Sequence, residues 1–394
     1  MKENYVIVSA VRTPIGRFGG SLKDIDSGRL GSIAISEAIK RAGIGASLVD
    51  EVILGEVRQS TESSNVARVA ALRSGIPIEK PAFTVNRLCA SGMQSIASAV
   101  QQIAFNQAEI VVAGGTENLS RSPFYVRNAR FGEGNPVMID SNLENGQQPT
   151  EIYGNNLGMG MTAENVAEKY GISREDQDKF AVYSQEKARK AIEAGTFKDE
   201  IVPVEVKRKK ETFLFTQDEH PRFGTTISDL SRLKPAFREG GTVTAGNACG
   251  RNDGATAMVI MKEQKAEELG LKPLVRIVGW AASGVDPTIM GIGPVPAVQK
   301  LLNNHGLSKE EIDLFELNEA FAAQALAVIN ELGIDMDKVN VNGGAIALGH
   351  PLGATGARIT TTLIYELIRR KGRYGVATLC VGGGQGMALL VERV

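Results

Sequence analysis

The chain repeats itself, and that constrains its fold more than any other feature. Gly43-Ile44-Gly45-Ala46-Ser47-Leu48-Val49-Asp50 runs into the apolar stretch Glu51–Glu56. Gly306-Leu307-Ser308-Lys309-Glu310-Glu311-Ile312-Asp313 runs into Leu314–Glu319 in the same way. Thr84-Val85-Asn86 has a counterpart in Asn340-Val341-Asn342, and Val111-Val112-Ala113-Gly114-Gly115 in Leu379-Cys380-Val381-Gly382-Gly383. The separations are 263, 256 and 268 positions, in the same order, which reads as one unit present twice. Within each unit short apolar runs alternate with segments of helical periodicity. That pattern predicts an α/β fold with mostly parallel sheets covered by helices.

The first unit predicts a strand over Val6–Ala10, a helix over Leu30–Ala42 stopped by Gly43, and strands Val52–Gly55 and Ala82–Val85. A helix buries Met93, Ile96, Ala97, Val100 and Ile103, and a strand Glu109–Ala113 ends in Gly114-Gly115. Residues 121–249 match neither unit. They predict helices Thr162–Tyr170 and Ser173–Ala194, the latter capped by Ser173, and a strand with Val202, Val204 and Val206 on one face. The expected organisation is a first half from 1–120 plus 250–273, an inserted domain at 121–249, and a second half at 274–394. The run Lys207-Arg208-Lys209-Lys210 reads as a solvated face.

Composition narrows the function classes. The 394 residues carry 44 Lys and Arg against 45 Asp and Glu, so there is no basic excess of the kind a nucleic-acid binder presents. No apolar run is long enough for a membrane span or a signal peptide, and three cysteines make no disulfide framework. The expected compartment is the cytoplasm. Glycine is unusually common, with 44 residues, so its positions carry information.

Only Cys89, Cys249, Cys380, His220, His305 and His350 offer sulfur or imidazole, and no pair has a zinc-ligand spacing, so no metal is expected. Cys89 sits between a predicted strand and helix, followed by Ala90-Ser91-Gly92. A helix start favours thiolate, and small neighbours admit a substrate; a packed core cysteine is the plainer reading. His350 begins a second such helix after a glycine-rich loop, where it either makes a structural hydrogen bond or pairs with Cys89 as its base. The glycines after Cys380 free backbone N–H groups that could form an oxyanion hole. Asn318 ends a predicted strand, where an asparagine is most often a turn or cap.

Taken together, Asn86-Arg87-Leu88-Cys89-Ala90-Ser91-Gly92, Asn318-Glu319-Ala320-Phe321, Gly349-His350-Pro351 and Cys380-Val381-Gly382-Gly383-Gly384 resemble the thiolase family, in order and across the whole chain. The resemblance implies two duplicated α/β halves in a five-layered αβαβα arrangement, an inserted loop domain that binds coenzyme A, and a homotetramer. It implies that Cys89 is the acylated nucleophile, His350 its base, and Cys380 the group that moves the proton of the second acetyl group. Asn318, through a water, and His350 would hold one thioester oxygen. The N–H groups of Cys89 and Gly382 would hold the other. Arg222, Ala245, Gly246, Cys249, Met159 and Phe321 would line the path of the coenzyme. The implied reaction is reversible Claisen condensation of two acetyl-CoA to acetoacetyl-CoA and CoA, with CoA thioesters as substrates and no permanently bound cofactor.

Three positions depart from the family's pattern: Gly158 stands where small-substrate members often carry histidine, Cys249 where serine is usual, and Arg251 where an apolar residue is usual. Gly158 and Cys249 favour, as alternative, a 3-ketoacyl-CoA thiolase for longer or modified chains. A non-catalytic acyl-CoA-binding protein is the third reading; the intact Cys89, His350, Cys380 and Asn318 argue against it.

Overall fold

The computed structural model describes residues 3–132, 134–208 and 211–394; Lys209 and Lys210 of the basic run lie outside the described residues, and Lys207 and Arg208 are exposed. The first half runs β1 (Tyr5–Arg12), α1 (Ser27–Ala42), β2 (Glu51–Gly55), α2 (Val66–Arg73), β3 (Ala82–Val85), α3 (Ser91–Ala104) and β4 (Ile110–Asn118). After the segment that follows β4, whose two longest helices are α4 (Met159–Lys169) and α5 (Arg174–Glu193), it closes with β5 (Asn252–Lys262). The second half runs β6 (Val275–Gly284), α6 (Pro294–His305), β7 (Leu314–Leu317), α7 (Ala322–Leu332), α8 (Leu352–Arg370), β8 (Tyr374–Val381) and β9 (Gln385–Arg393).

The sheet order exposes the duplication. From its centre outward the first half reads β1, β5, β4, β2, β3, and the second reads β6, β9, β8, β7. In both, the central strands pair antiparallel and the outer ones parallel. The two half-sheets are joined where Tyr5–Ile7 of β1 pairs with Val275–Ile277 of β6. Three apolar clusters then define five layers. One packs α1 and α2 on the outer face of the first half-sheet. The central cluster holds α3 and α8 between the inner faces of both half-sheets. The last packs α6 and α7 on the outer face of the second.

Several boundaries follow from local chemistry. Asp26 caps α1 by accepting from the Arg29 N–H at 2.9 Å, and Gly43, at φ 72°, ends it. Ser173 caps α5 as expected, accepting from the Asp176 N–H. Val202, Val204 and Val206 are buried against the first half.

Three expectations need correction. The large sheet is mostly antiparallel, not mostly parallel: among the described residues only β2 with β3, β2 with β4 and β7 with β8 pair parallel. Strand β4 does not stop at Gly114-Gly115 but runs through them to Asn118. A Cβ at Gly114 would lie 2.0 Å from the Thr256 carbonyl oxygen, and one at Gly115 2.0 Å from that of Gly353. These glycines therefore serve close backbone approach inside a strand rather than a turn. Asn340-Val341-Asn342 is not a strand. Pairing there shrinks to one bridge, Val339 with Phe315, and the Asn340 side chain replaces the ladder. Its Oδ1 accepts from the Leu317 N–H and its Nδ2 donates to the Leu317 carbonyl, each at 2.8 Å.

Candidate active site

Helices α3 and α8 cross closely because glycines lie at the crossing. A Cβ at Gly92 would lie 2.8 Å from the Gly353 oxygen, and one at Gly356 2.5 Å from the Met93 nitrogen. This approach brings together the loops that precede the two helices, one carrying Cys89 and the other His350. Both open at the carboxyl ends of the strands, where α/β sheets bind ligands. Leu88, immediately before the cysteine, is held at φ 46°, a conformation costly for a leucine and common at functional turns.

Cys89, His350 and Gly382 line one cavity of about 570 Å³ with Met159, Cys249 and Phe321. Cys380 and Asn318 are buried; Cys380 packs beside Met159, Ala248 and Phe321 of that lining. All three cysteines are free. They are electrostatic neighbours: the charges of Cys89 and Cys249 both act on Cys380.

The helix start does not govern the Cys89 thiol. Burial pushes it up to about 11, against the pull of the N–H groups of Gly382 and of Cys89 itself, which are directed at the sulfur. The expected lowering is therefore overturned: desolvation is the largest influence on this thiol, and it stays protonated near neutral pH. A base must take this proton. Burial likewise pushes Cys249 up to about 12 and Cys380 well above the ordinary thiol range.

His350 is arranged to be that base. Its Nδ1 lies 2.7 Å from Thr355 Oγ1, and that hydroxyl donates its own proton to the Pro351 carbonyl at 2.9 Å. Oγ1 can then only accept, so Nδ1 carries the ring proton and Nε2 keeps a lone pair. Nε2 is buried without a partner. Burial, with the Arg358 charge adding, holds the imidazole down to about 3, hence neutral. The His350 N–H is fixed by Asn252 Oδ1 at 2.9 Å. Asn318 follows β7, and both its side-chain amide atoms are buried without partners. An unpaired buried amide is costly, and its two atoms suit a polar partner.

Arg222, Ala245 and Gly246 do not line the cavity. Arg222 and Ala245 are exposed, and Gly246 packs on Leu230 and Leu233. Sequence reasoning gave no role to several positioning residues. Glu117 accepts from the Val57, Arg58 and Gly353 N–H groups at 3.0, 3.0 and 2.8 Å, tying the loop after β2 to the start of α8. Glu319 accepts from Ser184 Oγ at 2.7 Å and Asn340 Nδ2 at 2.8 Å, fixing the turn that holds Asn318. Their one sequence signal was an acid at the end of an apolar strand.

The model of the thiolase N-terminal domain matches residues 5–264, and that of the C-terminal domain matches residues 271–393. The chain belongs to the thiolase family. This thiolase is 51% identical over 398 residues to an acetyl-CoA acetyltransferase of Syntrophomonas wolfei, covering all of both chains. It is 51% identical over 394 residues to one of Pseudomonas aeruginosa, covering 99% of this chain and 100% of that one. Among solved structures it is similar to the Bacillus anthracis acetyl-CoA acetyltransferase, with TM-score 0.96, 50% identity, and 100% and 99% of the two chains covered. It is also similar to human mitochondrial 3-ketoacyl-CoA thiolase in complex with CoA, with TM-score 0.94, 46% identity, and 100% and 98% covered. Among the described residues no helix is long and apolar enough to cross a membrane.

Proposed function

We propose that this thiolase is an acetyl-CoA C-acetyltransferase, joining two acetyl-CoA into acetoacetyl-CoA and CoA, reversibly, through an acetyl group on Cys89. The observation that carries the reading is that Cys89 and His350, whose Nε2 is unpaired, line one cavity. His350 takes the Cys89 proton as sulfur attacks the thioester carbonyl. The oxyanion forms beside the N–H groups of Cys89 and Gly382, and the CoA sulfur leaves with the proton of Cys380, which becomes a thiolate while His350 keeps the Cys89 proton on Nε2. A second acetyl-CoA then loses an α-proton to the Cys380 thiolate. Its enolate oxygen is held by the Nε2–H of His350 and, through a water, Asn318; its carbon attacks the acetyl-cysteine, and the Cys89 sulfur leaves with the His350 proton. Such donors act most strongly where charge develops in a dry site.

The relatives named acetyl-CoA acetyltransferase support this reading along their whole length. Residues 121–249 act as the coenzyme-binding domain between the halves 1–120 plus 250–273 and 274–394. Arg222, Ala245 and Gly246 meet the coenzyme outside the cavity, at the protein surface. The working form is a homotetramer in the cytoplasm. Support for assembly comes from exposed Phe124, Val126 and Met138 on the hairpin of Phe124–Arg127 with Val137–Asp140. The size of the cavity and the flexible Met159, Met161 and Met290 in its wall favour a second reading, thiolysis of longer 3-ketoacyl-CoAs.

Incubation with acetyl-CoA followed by peptide mapping tests the first step: the acetyl group belongs on Cys89, and label confined to Cys249 or Cys380 refutes the assignment. In Cys380→Ser, acetylation of Cys89 survives while condensation collapses. Near wild-type condensation in that variant places the α-proton step elsewhere.

A further inference from the structure

Helix α5, in the segment between β4 and β5, carries two adjacent buried polar side chains, Ser184 and Gln185, that are directed at the loops of the active site. The Ser184 hydroxyl donates to Glu319 Oε2 at 2.7 Å and accepts from the Gly344 N–H at 3.1 Å. Glu319 is the chain neighbour of Asn318, and Gly344 caps the single helical turn Ala345–Leu348 that leads to His350. One hydroxyl from a remote helix therefore bridges the loops that carry Asn318 and His350. The bridge is tight: a Cβ at Gly344 would lie 2.1 Å from Glu319 Cδ. It is closed a second time by the Ile346 N–H, which donates to the same Glu319 oxygen at 3.2 Å.

Gln185 braces this frame from the His350 side. Its Nε2 donates to the Ile346 carbonyl at 3.4 Å, and its Oε1 accepts from the Arg222 N–H at 2.9 Å. A carbonyl only accepts and a backbone N–H only donates, so the two bonds together fix the orientation of the amide. Further along α5, Ala188 and Ala191 share an apolar cluster with Ala347 and Leu348 of the same turn.

The two active-site residues depend on this frame unequally. His350 is fixed independently of α5, by Thr355 at its ring and by Asn252 at its N–H. The Asn318 amide makes no hydrogen bond of its own, so its place is set by the backbone of its turn. That turn is anchored by the Asn318 N–H on the Thr378 carbonyl at 2.9 Å and by the Glu319 carboxylate that Ser184 holds.

We propose that Ser184 is a positioning residue for the carbon–carbon step: its hydroxyl holds Asn318 where it can share one enolate oxygen with His350, with Gln185 bracing the opposite loop. The proposal rests on the roles given to Asn318 and His350 above. Acetylation of Cys89 uses His350 and the N–H groups of Cys89 and Gly382 but not Asn318, so Ser184 serves one half of the reaction and not the other.

Two assays on the whole chain separate the halves. Exchange of the acetyl group between acetyl-CoA and isotopically labelled CoA reports acylation of Cys89; thiolysis of acetoacetyl-CoA adds cleavage of the carbon–carbon bond. In Ser184→Ala the kcat of thiolysis should fall about 10-fold, as loss of one buried hydrogen-bond partner gives, with KM unchanged and exchange within twofold of wild type. Ser184→Thr, which keeps the hydroxyl, should recover most of that loss, and Gln185→Met should show the same split between the assays at smaller amplitude. Equal loss in both assays overturns the proposal, since it assigns Ser184 to the stability of the fold alone. Unchanged thiolysis in Ser184→Ala overturns it as well. Should Ser184→Ala fail to fold, Gln185→Met carries the same two criteria. Asn318→Ala separates the proposal from its basis: thiolysis near the wild-type rate in that variant overturns the role of Asn318 itself.

Discussion

Thr355→Val removes the hydroxyl that fixes the His350 tautomer while keeping the volume of the side chain. The Nδ1–H then loses its acceptor at 2.7 Å inside a site where both residues are buried. An orphaned buried donor costs about 1–3 kcal/mol, so the productive tautomer becomes rarer by roughly 5–150-fold. The ring escapes the penalty by moving its proton to Nε2, where it can no longer accept from Cys89. Turnover in acetoacetyl-CoA thiolysis should fall by that factor with little change in KM, since coenzyme contacts are untouched. Thr355→Ser keeps the oxygen and should retain most of the activity. The fold survives, because the other lost bond, to the Pro351 carbonyl, contributes about 0.5–1.5 kcal/mol. Turnover within twofold of wild type in Thr355→Val, or equal impairment in Thr355→Ser, would refute the tautomer argument.

The pH dependence of stability gives a second measurement. His350 is held near 3 in the fold and lies at about 6.5 when unfolded, so the unfolded chain takes the proton first. Its contribution is full above about 6.5 and is lost as pH falls toward 3; between about pH 7 and 4, His350→Gln should therefore lose less stability than wild type in urea melts. Gly356→Ala sets propensity against packing. Helix propensity favours alanine by about 1 kcal/mol, yet its Cβ would lie 2.5 Å from the Met93 nitrogen, so the melting temperature should fall; a rise means that α3 and α8 can separate without cost. Cys249→Ser restores a stronger hydrogen-bonding group in the cavity wall and should lower KM for acetyl-CoA severalfold with turnover little changed. A collapse of turnover would make Cys249 catalytic, and no change in any constant would leave it a packing residue.

The sequence by itself determined the plan of the molecule. Periodicity and repeat offsets are one-dimensional quantities, and they were enough for the α/β class, β3 at Ala82–Val85 and the Ser173 cap of α5. The blocks around Cys89, Asn318, His350 and Cys380 were legible through their joint resemblance to the thiolase family. What it could not give depends on distances across the chain. Gly114-Gly115 looked like a strand end because the carbonyls of Thr256 and Gly353, which forbid a side chain there, come from remote segments. Asn340 looked like part of a strand because only the folded chain shows its amide replacing the ladder on Leu317. The acidity of Cys89 was misjudged for the same reason. A helix start can be read locally, but desolvation is set by everything packed around the sulfur, and it is what raises the thiol. Likewise the tautomer of His350, the unpaired amide of Asn318 and the shared cavity of Cys89 and His350 exist only once two half-sheets and their central helices have closed on one another.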